Sequence, residues 1–398
     1  MAAPKSATGI SIYAELLPNI RQVSVGAALP SPSDATTSAE VVDEGRRLRI
    51  SHQGCYEVVD LPATVTTSAA PAVPKAAGSE LGWRLPVSTA EAGALRSAPE
   101  SQAVPWSSVD LKAGSPISCR GCGSGFVQRG QVKAWQDLPS ENWAEMMEFW
   151  HCHKPHDHSS PEDEGLANRG YGANSTITAR PGIGFVDITL FMLSESDCNN
   201  LLFSSSSSGA SFSTSAQAME DELSTKYVHV LCRGCSAEVG LYSQSALSVT
   251  LFKWQVSCKT IAPSRNPSAP ECLASTLLTA ISRSGYAKSV VAPHASDGLD
   301  VPARALHLWV LNSNVVYTCS ALQGKTAAMK ILYRDISVDE GNKLVDSVTS
   351  DVQEINLPTS VVEAAREALK SSTILIPERE RSLKGWSAGL LQRWSLEI

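Results

Sequence analysis

One four-residue string constrains this chain more than any other feature. Cys-Arg-Gly-Cys occurs twice, at Cys119–Cys122 and at Cys232–Cys235. Gly inside each pair lets the backbone turn so that both sulfurs face one point. Two such knuckles supply four thiolates, the tetrahedral set of a structural zinc. The pairs stand 110 positions apart, against about 15–20 in a compact zinc ribbon. One zinc shared by Cys119, Cys122, Cys232 and Cys235 makes the intervening chain an insertion whose two ends are stapled together. The alternatives on sequence alone are two unrelated thiol pairs or a single redox pair. A disulfide framework is the wrong reading of ten cysteines if the chain is intracellular, because cytosolic and nuclear thiols stay reduced.

The intracellular expectation rests on the distribution of apolar residues. No apolar run approaches the roughly 18–20 residues that span a bilayer. The most hydrophobic stretch, Ile183 to Leu193, is interrupted by Asp187. The N-terminal residues MAAPKSATGISIYAEL lack the apolar centre of a secretory signal. A soluble protein of the cytoplasm, the nucleus or both is expected, with no membrane partner. Net charge is −7, so binding nucleic acid by bulk charge is disfavoured and no direct nucleic-acid partner is expected. Charged residues are 18% of the chain but apolar ones 43%, enough to build a core and to exclude a mainly disordered chain.

Short alternating segments predict an α+β, strand-dominated fold. Ile10–Leu16, Gln22–Val25 and Arg47–Ile50 show period-two patterning, which suits sheets with one wet face. Leu81–Leu85 is a further short strand between Ala/Pro/Ser-rich loops at 61–80 and 88–105. Ile183–Leu193 reads as one buried strand, Tyr227–Leu231 as a strand feeding the second Cys pair, and 203–215 as a low-complexity Ser loop. Ala246–Cys258 alternates strongly but changes parity between Leu251 and Phe252, which predicts a β-bulge or strand twist. Ala305–Val310 and Val315–Cys319 predict a hairpin turning on Leu-Asn-Ser-Asn, with another strand at Ala328–Tyr333. Helices are expected at Leu273–Ser282 and from a capping box at Ser360-Val-Val-Glu363 to about Lys370. Three regions follow: a β-rich N-terminal lobe (1–105), a zinc-stapled partner-binding middle (106–245) and a C-terminal α+β lobe (246–398).

The middle region carries the other chemistry. Ser140 is placed to cap a helix from Glu141 to His151, and Pro155 stops its continuation. Trp143, Met146, Met147 and Trp150 form one apolar stripe, opposite Glu141, Glu145 and Glu148. The stripe either packs into the protein's own core or docks a partner, where Trp and Met are enriched. At the helix exit His151, Cys152, His153, His156 and His158 cluster. They suit metal ligation, a thiol nucleophile at Cys152 activated by a His neighbour, or merely a solvated polar exit. Cys55, Cys198, Cys258, Cys272 and Cys319 read as buried small hydrophobes. A Walker loop and Gly-x-Gly-x-x-Gly are both missing from the sequence, so a nucleotide enzyme has no support.

The order of these motifs resembles a known family. Cys-x-x-Cys, Leu138-Pro-Ser-Glu-Asn-Trp143, Trp150-x-Cys152-His153-x-Pro155, a strand, and a second Cys-x-x-Cys followed by Gly240 look like the HECT-like ubiquitin-conjugating-enzyme-binding proteins. The resemblance covers residues 119–240, most specifically at the Leu-Pro-Ser-Glu-Asn-Trp string. It implies a ubiquitin-protein ligase, a transferase that binds a ubiquitin-conjugating enzyme and promotes ubiquitination of protein substrates. It ties Glu141, Asn142, Trp143, Met146, Met147, Trp150, Cys152 and His153 to partner binding, and makes Cys152 the first candidate for a ubiquitin thioester. By the same route it implies an alternative: a non-catalytic partner that stabilises or restrains the endonuclease of pre-mRNA 3′-end cleavage and polyadenylation.

Overall fold

Period-two patterning does produce strands. The computed structural model describes residues 9–66, 71–73, 78–89, 104–138, 178–204, 212–213, 227–243, 247–262, 264–294, 304–347 and 350–395. The expected helix at 141–151, the His151–His158 cluster and every partner-binding residue named above lie outside them. The chain divides into two units, Met1–Ala103 with Ala269–His294 and Leu299–Ile398, and Val104–Ser268 with Ala295–Gly298.

In chain order the first strands are β1 (Ser11–Leu17), β2 (Gln22–Ala28), β3 (Ser38–Val42), β4 (Arg47–His52), β5 (Cys55–Asp60) and β6 (Glu80–Pro86). The second unit contributes β7 (Ile117–Cys119), β8 (Gly125–Val127), β9 (Ala134–Asp137), β10 (Ile183–Val186), β11 (Leu190–Ser194) and β12 (Leu201–Ser204). It continues with β13 (Phe212–Ser213), β14 (Tyr227–Cys232), β15 (Glu238–Ser243), β16 (Ser248–Phe252) and β17 (Val256–Cys258). The chain then returns to the first unit through helix α1 (Ala269–Ser284), β18 (Lys288–Pro293), β19 (Arg304–Cys319), β20 (Thr326–Ser337) and helix α2 (Val338–Val345). The last elements are β21 (Val352–Leu357), helix α3 (Thr359–Thr373), β22 (Ser382–Leu383) and β23 (Trp386–Gln392). The fold is α+β and strand-dominated. Among the described residues no helix is long and apolar enough to cross a membrane.

The first unit is built on a nine-stranded sheet in the order β22-β23-β20-β19-β1-β2-β6, with β18 beside the start of β19 and β21 beside β18. A three-stranded sheet, β3-β4-β5, shares an apolar core with β1, β2 and β6 through Ile12, Val25, Leu48, Ile50 and Leu81. The expected wet face of β1 is not found: Ile12 to Leu16 are all buried. Glu15 tolerates this because it accepts from Tyr13 (2.8 Å) and pairs with Lys330 at 3.0 Å, and buried charge persists when paired. Helix α3 lies so close to β23 that a Cβ on Gly389 would stand 2.8 Å from the Leu369 carbonyl oxygen. Glycine is the residue that permits that approach.

Several expected elements take a different form. Leu-Asn-Ser-Asn is not a turn. It lies inside the continuous β19, where the register against β20 shifts on both sides of Asn312, and the true hairpin turn follows Cys319. The parity change after Leu251 is not a bulge but a 3₁₀ turn, Lys253–Gln255, that carries the chain from β16 in one sheet to β17 in another. Ile183–Leu193 is two strands, β10 and β11, paired antiparallel. Part of the Ser-rich stretch is also paired, with Phe203 opposite Ser213. The α3 capping box is replaced by Pro358 at the N-cap with no side-chain bond, and Glu363 pairs with Arg366 instead. Cys272 and Cys319 are buried as expected, but Cys198 and Cys258 are only partly buried and Cys55 is exposed.

Candidate metal centre

Each Cys-Arg-Gly-Cys string is the turn of a β-hairpin. Strand β7 ends at Cys119 and β8 begins at Gly125, while β14 ends at Cys232 and β15 begins at Glu238. The two turns repeat one hydrogen-bond pattern. Gly123 N–H donates to the Cys119 carbonyl at 2.9 Å and Cys119 N–H to the Ser124 carbonyl at 2.8 Å. In the second turn Ser236 N–H donates to the Cys232 carbonyl at 2.8 Å and Cys232 N–H to the Ala237 carbonyl at 2.9 Å. The left-handed residue is the one after the second cysteine, Gly123 (φ 77°) and Ser236 (φ 57°). The glycine inside each pair therefore has another role than turning. A Cβ on Gly234 would stand 3.2 Å from Cys122 Sγ, and one on Gly121 3.8 Å from Cys235 Sγ. Gly234 makes room for a sulfur of the opposite knuckle, whereas a Cβ on Gly121 would meet Cys235 Sγ only at ordinary contact distance.

The four sulfurs converge. Cys122 Sγ lies 3.5 Å from Cys232 Sγ and Cys119 Sγ lies 3.7 Å from Cys235 Sγ. All four fall within 4.8 Å of one another, an arrangement that could hold a metal ion. Around one ion bound at about 2.3 Å, a sulfur tetrahedron has edges of about 3.8 Å, so the set fits. Cys119 and Cys232 are buried, Cys122 and Cys235 exposed. Burial pushes the Cys119 thiol up to about 12 and raises Cys232, because a thiolate without a counter-charge is disfavoured away from water. The Ser124 amide, with the neighbouring Cys232 sulfur, pulls Cys122 down to about 7. A divalent cation removes the penalty at the two buried positions.

Two residues that sequence reasoning missed hold the knuckles in place. Asn200 (φ 57°) accepts the Arg233 N–H at its carbonyl (2.9 Å) and donates its side-chain amide to the Gly125 carbonyl (2.8 Å), bridging the two turns. The Asn199-Asn200 pair was the available signal, since Asn tolerates left-handed backbone. Arg120 donates to the carbonyls of Trp254 (3.2 Å) and Pro267 (2.8 Å), fastening the first knuckle to the 253–255 turn. Nothing in the string distinguished Arg120 from Arg233.

The sequence is similar to those of other proteins. The chain is 24% identical over 289 residues, 71% of each chain, to the uncharacterized protein YJR141W of Saccharomyces cerevisiae. It is 41% identical over 54 residues, 13% of this chain and 15% of the other, to the uncharacterized protein C1734.10c of Schizosaccharomyces pombe. The profile of one family, described as HECT-like ubiquitin-conjugating enzyme (E2)-binding, matches residues 15–388 and so takes in both units and both knuckles. The chain belongs to the HECT-like ubiquitin-conjugating enzyme (E2)-binding family.

Proposed function

We propose that this protein binds a ubiquitin-conjugating enzyme and promotes transfer of ubiquitin to protein substrates, with one structural zinc held by Cys119, Cys122, Cys232 and Cys235. The family match across 15–388 carries the first part. The convergence of four sulfurs from hairpins 110 residues apart supports the second. Zinc suits four thiolates at these separations, and such sites contribute directly to folding. The chain between the knuckles includes Glu141, Asn142, Trp143, Met146, Met147, Trp150, Cys152 and His153, which form the partner-binding set in this reading. The protein works in the cytoplasm, the nucleus or both.

One observation favours a second, non-catalytic reading, in which the protein restrains a partner such as the 3′-end processing endonuclease. Thiolate character makes a cysteine nucleophilic, yet burial pushes Cys198 and Cys258 up to about 12 and raises Cys319. Outside the metal centre, thioester chemistry is then left to the exposed Cys55 and to Cys152, the cysteine that the family resemblance favours. Full-length protein and Cys152→Ala, each checked for folding, are incubated with charged conjugating enzyme and examined for a reducible ubiquitin adduct. An adduct lost in the variant supports a thioester ligase. Conjugating-enzyme binding without an adduct in either protein leaves the adaptor reading.

A further inference from the structure

Two close sulfur contacts in the metal centre run between the knuckles. Cys122 faces Cys232 at 3.5 Å and Cys119 faces Cys235 at 3.7 Å. Each contact joins an exposed sulfur, Cys122 or Cys235, to a buried one, Cys232 or Cys119. The two contacts share no cysteine, so both can close together. A disulfide needs sulfurs about 2.05 Å apart, an approach of about 1.5 Å from the observed positions. We propose that hydrogen peroxide converts this centre into two cross-knuckle disulfides, Cys122–Cys232 and Cys119–Cys235, so that the clasp survives covalently when the metal leaves. This rests on the metal reading only for the ion released; the pairing rests on the sulfur positions.

The chemistry balances. The exposed thiolate attacks peroxide, the O–O bond breaks, and a sulfenic acid forms with loss of hydroxide. The buried thiolate attacks that sulfur, the S–O bond breaks, the S–S bond forms and a second hydroxide leaves. Two thiolates supply two electrons, one peroxide becomes two waters after proton uptake from solvent, and the other pair repeats the step with a second peroxide. An ion that loses all four thiolates is released. Bonds within each knuckle would leave the two ends of the insertion unlinked, whereas the cross-knuckle bonds keep them joined.

The test uses the full chain as purified. Protein is treated with hydrogen peroxide, alkylated, digested without reduction and mapped by mass spectrometry, while a chromogenic chelator follows metal release. The expected result is linked peptides for Cys122–Cys232 and Cys119–Cys235, about one ion released per two disulfides, and reversal by dithiothreitol with added zinc. The oxidised protein should melt above the reduced, chelator-stripped protein. Cys119–Cys122 and Cys232–Cys235 bonds, or sulfinic acid at Cys122 and Cys235, would overturn the proposal, as would melting at the stripped temperature. Protein that carries no metal yet gives the cross-knuckle bonds sinks the zinc reading and leaves this one standing. Metal-loaded protein that gives bonds within the knuckles does the reverse.

Discussion

Replacing Cys232 by Ser tests the centre at its most buried ligand, where the side chain is fully enclosed. The hydroxyl is a poor ligand, so the ion should leave and the two hairpins lose their common anchor. The size of the effect follows from the 110-residue separation of Cys122 and Cys232. Treated as a cross-link closing a loop of that length, the ion contributes about 5 kcal/mol at 25 °C. Asn200 also bridges the turns, so the observed loss should fall somewhat short of that figure. Urea unfolding of the wild type, the wild type with a strong chelator, and Cys232→Ser should give one stable and two similarly weakened curves. Hydrogen exchange should locate the loss at the Gly123 and Ser236 amides, which close the two turns. Cys319→Ala, a buried cysteine outside the centre, should keep its metal. A variant that retains full metal content, or a chelated protein within about 0.5 kcal/mol of the wild type, would refute the staple.

Three further outcomes are expected. Burial, with Arg334 and Lys288 close by, lowers His307 to about 4, only partly opposed by Asp351. Between about 6.5 and 4 the unfolded chain therefore binds a proton the folded one does not, and stability should fall by up to about 3 kcal/mol as pH drops through that window. His307→Gln should flatten this part of the pH profile, and an unchanged slope would rule the histidine out as its source. Lys253 is fully buried, its ammonium donating to the carbonyls of Pro105, Asp187 and Ile188, so Lys253→Met should shift the urea midpoint by the equivalent of about 3 kcal/mol; a midpoint at the wild-type value would contradict the assigned bonds. Trp143→Ala should abolish binding to a ubiquitin-conjugating enzyme in a pull-down while the melting temperature stays near wild type. Retained binding with a loss of about 3–5 kcal/mol would put the ring in the core instead.

What the sequence disclosed was mostly local. Patterning located β1, β4, β6 and β14, because alternation needs only neighbouring residues. The Cys-Arg-Gly-Cys repeat disclosed the centre's four residues despite their separation, since thiolate chemistry restricts how they can be used. The interior of β19 was misread because Asn-Ser-Asn has turn chemistry, but a long partner strand, β20, absorbs the extra residues as bulges. The break after Phe252 was misplaced for a related reason: Lys253 looks like a strand residue until three distant carbonyls are brought to its ammonium. The α3 cap failed because the helix starts at Thr359 with Pro358 at its N-cap, which places Ser360 inside the first turn instead of at the cap. Which strand lies beside which was not legible at all, since β1 pairs with β19 from the other end of the chain.

That pairing has a consequence for how the protein is made. Tyr13 lies opposite Cys319, so a ribosome adding about 5–20 residues per second delivers the partner of β1 roughly 15–60 s after β1 itself. Residues Val104–Ser268 of the second unit emerge in the interval, with both knuckles already present. Throughout that time β1, β2 and β6 can form their own meander, but the far side of β1 offers unpaired amides and carbonyls of the kind that recruit strands from other chains. Until β19 is made, the nascent N-terminal sheet therefore carries an edge that the finished fold covers.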